Sequence, residues 1–274
     1  MFSRSALFAA GLVTTIFASL AGMAAAGSLA EIKARGKIVV GVKDTAPPFG
    51  FRNEHGELTG LEVELANDIA AQLGVGIELF PVTSTSRMQF LGLGRLDLLI
   101  ATLAVTAHRQ SEAHLVEPHY YASTPSLFVR RDSGVKTLAD LEGAKICTLL
   151  NRYLNPLLAA NAPKTELVEF RDLHQAAMAL AEGRCEALAE EHVELYQLQN
   201  HKTARWDDYD LVELELAPLP WALAVQPGAA NAELQTRLAG IVRDWHKAGR
   251  LLELEKKWLG YNTEWARQMH ETMK

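Results

Sequence analysis

The sequence predicts an α/β protein of two modules, each a doubly wound and mainly parallel sheet, and three patterns support this prediction. Short apolar runs rich in β-branched residues alternate with segments of helical periodicity, which is the arrangement that produces parallel sheets. This alternation fills residues 37–100 and begins again near residue 138. Extended segments without helical periodicity lie at 120–129 and 219–225, which fits a chain that leaves the first module, builds the second and returns.

The individual elements follow from local patterns. Runs bounded by turn residues predict buried strands, and apolar residues at helical spacing predict helices. In the first module we expect strands at 37–42, 77–82 and 96–100, with helices at 65–73 and 87–93. In the second module we expect strands at 145–149, 166–170 and 186–189 with a helix at 174–182, and two last helices at 234–245 and 251–258.

Residues 1–26 have the pattern of a secretory signal peptide. They contain one charged side chain, that of Arg4, followed by an apolar stretch and an end rich in small residues, Ala24-Ala25-Ala26. We expect cleavage after Ala26 and export to the periplasm. A membrane anchor that stays in place is the alternative, although the stretch is short for a spanning helix and contains polar residues.

Charge and composition exclude several classes of protein. The chain has 27 Lys and Arg against 33 Asp and Glu, a formal net charge of −6, which argues against a general nucleic-acid binder. The His residues are scattered without zinc spacing and there is no Gly-rich phosphate loop, so we expect neither a metal nor a cofactor. Cys147 and Cys185 are expected in or beside strands of the second module, either as a disulfide or as two buried thiols.

A series of short motifs runs through residues 31–260. It comprises Val40-Gly41-Val42, Pro47-Pro48-Phe49, Gly56-Glu57-Leu58-Thr59-Gly60-Leu61-Glu62, Gly94-Arg95-Leu96-Asp97, Val105-Thr106-Ala107-His108-Arg109, Leu138-Ala139-Asp140-Leu141-Glu142-Gly143 and Lys256-Lys257-Trp258-Leu259-Gly260. In order and spacing these motifs resemble family 3 of the bacterial periplasmic solute-binding proteins, the polar amino-acid receptors of ABC importers.

The resemblance implies a two-lobe fold of the type II periplasmic binding proteins. Residues 27–122 and 221–274 would form lobe 1 and residues 123–220 lobe 2, joined by two hinge strands, with one ligand enclosed between the lobes. A ligand that touches both lobes stabilises the closed state. The resemblance further implies a monomer that delivers a small solute to an inner-membrane ABC permease and does not transform it.

The resemblance also assigns ligand-binding residues in lobe 1. Arg109 matches the family arginine that binds the ligand α-carboxylate, for which a guanidinium offers two parallel donors. Thr102 matches a polar position after a strand end. Ser84 and Arg87 resemble a stretch of glutamate/aspartate receptors, and a basic residue at Lys43 fits the same receptors. These cations favour a ligand with a second carboxylate, unless Lys43 and Arg87 pair with acids on the lobe surface.

Lobe 2 departs from the family pattern. Asn151-Arg152-Tyr153 stands where Gly-Ser/Thr-Thr is usual, so Arg152 either adds a cation to the cleft or lies outside it. Glu191 aligns with the family carboxylate that pairs with the ligand α-ammonium, but it is longer than the usual Asp. From Lys43, Arg87 and Arg109 we predict a small anionic ligand, an acidic amino acid such as glutamate or aspartate. The departures at Arg152, Tyr153 and Glu191 leave open a related dicarboxylate without an ammonium group.

Two other functions share this fold. In dehydratases of prephenate-like substrates, a Glu three residues beyond the cleft carboxylate acts as the acid, and Glu194 stands there in this chain. Thr124, however, stands where the accompanying Lys is expected, and a solvated helix position is the simpler interpretation of Glu194. A ligand-sensing receptor subunit is the third hypothesis. We expect a binding protein and not an enzyme.

Overall fold

The computed structural model describes residues 27–200, 204–214, 216 and 218–274, so the predicted signal peptide lies outside the described residues. The helices are α1 (Leu29–Arg35), α2 (Leu61–Leu73), α3 (Arg87–Gly92), α4 (Ala107–Glu112), α5 (Leu154–Asn161), α6 (Leu173–Ala181), α7 (His192–Gln199), α8 (Ala232–Ala248), α9 (Arg250–Trp258) and α10 (Glu264–Met273). The strands are β1 (Lys37–Lys43), β2 (Thr45–Ala46), β3 (Gly50–Arg52), β4 (Leu58–Thr59), β5 (Gly76–Val82), β6 (Leu98–Leu99), β7 (His114–Leu115), β8 (Tyr121–Ser123), β9 (Pro125–Arg130), β10 (Lys145–Leu149), β11 (Glu166–Phe170), β12 (Ala187–Glu191), β13 (Tyr209–Glu213), β14 (Leu219–Trp221) and β15 (Ala224–Val225). Within these ranges no helix is long and apolar enough to cross a membrane.

Two five-stranded sheets form the framework, with strand orders β5-β1-β6-β15-β7 and β11-β10-β12-β9-β13. The first three strands of each order pair in parallel, and the other two join by antiparallel pairing. Helices cover the parallel strands, because a parallel connection needs a crossover segment. The predicted class, α/β with two doubly wound and mainly parallel sheets, is confirmed.

Two short strands connect the lobes. β8 and β14 pair antiparallel, with Tyr121 opposite Trp221. The rings of Tyr121 and Trp221 are 5.0 Å apart, and the ring of Phe49 lies 5.3 and 4.8 Å from them. The bounds of 27–122 with 221–274 for lobe 1 and 123–220 for lobe 2 stay a prediction, and this pair of strands lies at their border.

Gly60 lets α2 begin very close to the preceding chain. Its φ is 127°, and a Cβ there would lie 2.2 Å from the carbonyl oxygen of Phe49. The amides of Leu61 and Glu62 donate to the carbonyls of Pro48 and Phe49 at 2.9 and 2.8 Å. Only glycine combines this backbone conformation with this approach, and as a result the first turn of α2, with Glu62, packs directly against Pro48 and Phe49.

Cys147 in β10 and Cys185 just before β12 form a disulfide, with Cα atoms 5.6 Å apart. Both residues are buried in the core of lobe 2, where Phe128 and Leu188 belong to the same cluster. Parallel pairing of β10 with β12 brings the two positions together. Of the two states left open by the sequence, the structure therefore shows the bonded one.

Removing this disulfide is expected to lower the free energy of unfolding by about 2–4 kcal/mol, because the bond closes a loop with a sequence separation of 38 residues. The variant with Cys147→Ala and Cys185→Ala, compared with the natural protein by urea unfolding, tests this. A reducing agent should lower the melting temperature of the natural protein and leave the variant unchanged. An equal response of both proteins would contradict the prediction.

Candidate ligand-binding cleft

The candidate site lies between the lobes, at the carboxyl ends of the parallel strands. Lys43 ends β1 and Thr102 follows β6, while Glu191 ends β12 on the other side. A cavity of about 430 Å³ is lined by Lys43 from lobe 1 and by Arg152 and Glu194 from lobe 2. Ligands of open α/β sheets bind at this edge, so the position agrees with the general rule for such sheets.

Arg87, the first residue of α3, binds the backbone of lobe 1 at Ala101 and Thr102. It is 2% exposed, and its guanidinium donates to the carbonyl oxygens of Ala101 and Thr102, the latter at 2.9 Å. Burial, and then the nearby charges of Arg109 and Arg152, lower the pKa of Arg87 to about 9. Arg87 and Thr102 are therefore in contact, with the guanidinium bound to the Thr102 backbone; neither residue lines the cavity of about 430 Å³, and their roles in ligand binding stay predictions.

Arg109 lies in α4 and faces the second lobe. Its Nη1 donates to the carbonyl oxygen of Ala104 at 2.6 Å. Burial lowers the pKa of Arg109, and the carboxylate of Glu191 across the cleft opposes this shift. A guanidinium has five N–H donors and this contact uses one, so donors remain for a ligand carboxylate.

Lys43 is 4% exposed, and its Nζ donates to Ser84 Oγ at 2.8 Å. Burial, and then the charges of Arg152 and Arg87, lower the pKa of Lys43 to about 7. Among the described residues Lys43 forms no ion pair with an acid on the surface of the lobe, which was the other possibility. Lys43 and Ser84 thus form a polar pair on the cavity wall, where an anionic group would favour the charged form of the lysine.

Glu62 is a cleft residue that the sequence motifs do not assign to the ligand. It is 0% exposed, and its Oε1 accepts from the amide of Thr102 at 2.6 Å and from the hydroxyl of Tyr120 at 2.5 Å. Its Oε2 has no hydrogen-bond partner in the described part of the chain. The sequence does contain one indication of this role: Glu62 stands between the apolar residues Leu61 and Val63 at the start of α2. An acid in such a position needs polar partners, because acids are rarely fully buried without them.

Arg152 faces the cleft, which settles the alternative left open by the sequence. It is 8% exposed and forms ion pairs with Glu190 at 2.9 Å and with Glu194 at 2.7 Å. Glu190 and Glu194 are themselves 0% and 4% exposed. The interpretation of Glu194 as a solvated helix position is therefore wrong, because Arg152 draws its carboxylate into the interior.

Glu191 and Tyr153 complete the wall of lobe 2. Glu191 is 1% exposed, and neither its Oε2 nor the Tyr153 hydroxyl has a hydrogen-bond partner among the residues described. Burial, and then the carboxylates of Glu194 and Glu190, raise the pKa of Glu191 well above its ordinary value. A cation brought by a ligand would offset both effects, because an opposite charge favours the ionised carboxylate.

The two walls of the cleft differ in charge. The buried or partly buried charged groups number three cations and one acid in lobe 1 and one cation and three acids in lobe 2: Lys43, Arg87, Arg109 and Glu62, against Arg152, Glu190, Glu191 and Glu194. The exposed Arg171 and Asp172 of lobe 2 also line the cavity. The sequence motifs assigned Lys43, Arg87, Arg109 and one acid, Glu191, to the cleft, and they left the position of Arg152 open. The cleft is therefore suited to a ligand that itself carries both signs of charge.

The stability of the protein is expected to depend on the protonation of Glu62. Burial raises the pKa of Glu62 from 4.5 to about 7, against the effects of Tyr120, Thr102, Lys43 and Arg87. Between these pH values the folded protein holds a proton that the unfolded chain has released, so the free energy of unfolding falls as pH rises. We expect this fall to be about 3 kcal/mol larger in the natural protein than in Glu62→Gln. Urea unfolding at pH 4.5 and pH 7.5 measures it, and equal falls would contradict the prediction.

A two-lobed α/β fold with a charged cleft between the lobes is the architecture of solute-binding proteins and of enzymes related to them. The chain belongs to the bacterial extracellular solute-binding proteins, family 3, whose model matches residues 38–261. The predicted family is thereby confirmed. In the described part of the chain no group of three or more His, Cys, Asp and Glu residues could hold a metal ion.

Two amino-acid-binding proteins are similar to this chain in sequence over most of their length. The ABC transporter glutamine-binding protein GlnH of Bacillus subtilis (strain 168) is 28% identical over 238 residues, which cover 85% of this chain and 84% of GlnH. The L-cystine-binding protein TcyJ of Escherichia coli (strain K12) is 26% identical over 243 residues, covering 88% of this chain and 90% of TcyJ.

A solved structure shows the same fold. The crystal structure of the ancestral amino acid-binding protein AncCDT-1, a precursor of cyclohexadienyl dehydratase, matches with a TM-score of 0.75 at 23% identity, covering 85% of this chain and 99% of the other. The predicted two-lobe fold is thereby confirmed.

Proposed function

We propose that the protein is the substrate-binding component of an ABC importer and that it captures an acidic amino acid, such as L-glutamate or L-aspartate, between its lobes. The observation that carries this proposal is the distribution of charge over the cleft, with the cations Lys43 and Arg109 on lobe 1 and, on lobe 2, the buried Glu191, whose Oε2 has no hydrogen-bond partner among the described residues. The Glu191 carboxylate opposes the lowering of the pKa of Arg109, and no ion pair joins these two groups in the described part of the chain. An α-carboxylate suits Arg109 and an α-ammonium suits Glu191.

Lys43 supports an acidic side chain on the ligand. Its Nζ has Ser84 Oγ as a neutral partner at 2.8 Å, whereas Arg152 already has two carboxylates. A side-chain carboxylate would give Lys43 the opposite charge that a buried ammonium group needs. An amide would leave that charge unbalanced. The proposed ligand therefore makes three charged contacts, with Arg109, Glu191 and Lys43.

The Glu191 carboxylate, whose Oε2 has no hydrogen-bond partner within the described ranges, disfavours a dicarboxylate without an ammonium group. Such a ligand would bring two negative charges to a wall that already holds three buried acids. Relatives of this chain are named for glutamine and for L-cystine, both amino acids. We therefore place the ligand among α-amino acids, with export to the periplasm through residues 1–26 as part of the same proposal.

A thermal-shift panel of amino acids and dicarboxylates tests the proposed ligand class. A ligand present at 100 times its dissociation constant stabilises the folded protein by about 2.7 kcal/mol. We expect L-glutamate or L-aspartate to give the largest rise in melting temperature, and glutarate and succinate to give little. A larger rise with neutral or basic amino acids would reject the acidic specificity and leave the receptor class intact.

Lys43→Gln is expected to weaken L-glutamate binding by roughly 10–100-fold, because the side-chain carboxylate loses its charged partner. Binding of L-glutamine should change much less. Isothermal titration calorimetry with both ligands measures the difference. Lys37→Gln is the matched control, since Lys37 lies on the same strand and pairs with Glu78 at the surface. A variant that loses both ligands equally would remove Lys43 from the side-chain contact.

A second candidate function, a dehydratase, is suggested by the burial of Glu194 in the cleft. A general acid must carry a proton, whereas the ion pair of Glu194 with Arg152 at 2.7 Å needs the ionised carboxylate. This contact favours the binding protein over the enzyme. Incubation with prephenate or arogenate separates the two functions, and formation of an aromatic product would establish the enzyme.

A further inference from the structure

Thr102 has a backbone conformation that needs support from its surroundings. Its φ is 47°, in the left-handed region that a β-branched residue rarely adopts. The residue is 2% exposed and lies where the family motif places a contact to the ligand carboxylate. The direction of its hydroxyl and of its peptide groups depends on keeping this conformation.

Two buried groups of opposite charge hold Thr102 from its two ends. The Glu62 carboxylate accepts the Thr102 amide at 2.6 Å, and the Arg87 guanidinium donates to the Thr102 carbonyl oxygen at 2.9 Å. Tyr120 donates its hydroxyl to the same Glu62 oxygen at 2.5 Å and so fixes the carboxylate. Each of these four side chains is buried, so water does not replace a lost contact freely.

We propose that Glu62 is a positioning residue of the binding site, which holds Thr102 in its left-handed conformation so that Thr102 meets the ligand carboxylate beside Arg109. The inference rests on the proposed function, because it concerns the same cleft. Glu62 acts through Thr102 and does not touch the ligand. Tyr120 is the partner that keeps the Glu62 carboxylate in place. Arg87 supports Thr102 from the other side, by donating a hydrogen bond to the Thr102 carbonyl oxygen.

The proposal is tested by calorimetric titration of the full chain with L-glutamate, together with the melting temperature of each variant. Glu62→Ala is expected to lower the affinity about 10–100-fold, because Thr102 would leave the conformation that the bound ligand requires and binding would have to restore it. Glu62→Gln keeps an acceptor for the Thr102 amide and is expected to stay within about 5-fold of the natural protein. Tyr120→Phe keeps the buried ring and should show an intermediate loss.

A second comparison isolates the action through Thr102. Thr102→Gly accepts a positive φ without strain, so Glu62→Ala made in that background should lower the affinity much less than in the natural background. Glu64→Gln is the matched control. Glu64 lies on the same helix and pairs with Lys257 and Trp258 away from the cleft, so this change should leave the affinity as it is.

The outcomes separate this inference from the function on which it rests. If the natural protein binds L-glutamate and the losses from Glu62→Ala are equal in both backgrounds, the positioning role is overturned and the function stands. Lower melting temperatures with unchanged affinity of the folded variants would also overturn it. If the natural protein binds no amino acid, the function and the inference fall together.

Discussion

Replacing Arg109 with alanine is expected to lower the affinity for L-glutamate by about 2–5 kcal/mol, or roughly 30-fold to several thousand-fold. The ligand α-carboxylate would remain desolvated between the closed lobes without its charged partner. The same change removes a nearby cation from Glu191, whose Oε2 has no hydrogen-bond partner in the described ranges. Isothermal titration calorimetry with L-glutamate and L-glutamine measures the loss, which should be similar for both ligands because both carry the α-carboxylate.

Arg95→Ala is the control for this change. Arg95 is exposed and lies in lobe 1, beyond the end of α3. Its replacement should leave the affinity within measurement error. Near-normal affinity in Arg109→Ala, with Arg95→Ala also unchanged, would remove Arg109 from the ligand site.

Arg152→Ala is expected to lower the free energy of unfolding by about 3–5 kcal/mol at pH 7, because it leaves buried carboxylates without a counter-charge. Burial alone would lower the pKa of Arg152, and the carboxylates of Glu190 and Glu194 outweigh that effect and raise it. The loss of unfolding free energy caused by Arg152→Ala should be smaller near pH 4.5, where buried carboxylates can take up protons and need a counter-charge less. Urea unfolding at the two pH values measures both effects.

An exposed ion pair in the same lobe provides the control for Arg152. Arg131 pairs with Asp210 at 3.1 Å, with the two side chains 61% and 47% exposed. Arg131→Ala should cost at most about 1 kcal/mol, as is usual for surface pairs. Equal losses from Arg131→Ala and Arg152→Ala would show that the cluster of buried acids does not depend on Arg152.

Most of the framework could be predicted from the sequence, because buried strands such as β1 and β10 have strong β-branched patterns. The strand expected at 96–100 is shorter, since the Asp97 carboxylate accepts the amide of Val39 at 2.7 Å and regular pairing with β1 begins at Leu98. The C-terminal helix α10 was not predicted. Trp265, Ala266, Met269 and Met273 lie at helical spacing and Trp265 packs against the core of lobe 1, so the sequence did contain the apolar stripe of this helix.

The site was predictable where a residue carries out its role with its own side chain in a known motif. Lys43 is of this kind and lines the cavity between the lobes, whereas the ligand-binding roles of Arg109 and Thr102 stay predictions. Glu62 and Glu190 were missed because their positions depend on partners distant in the sequence, Thr102 and Arg152. Local periodicity contains no information about such contacts, although acids inside buried runs mark the positions where they should be sought.

The central claim is that the cleft recognises an amino acid by three charged contacts, and one titration tests it most directly. Calorimetry of the purified protein at pH 7 compares L-glutamate with L-glutamine, two ligands that differ only at the group expected to meet Lys43. The account predicts one-to-one binding of both, with L-glutamate tighter by roughly 10-fold or more. L-glutamine binding as tightly as L-glutamate or more tightly, or no binding of either, would contradict it.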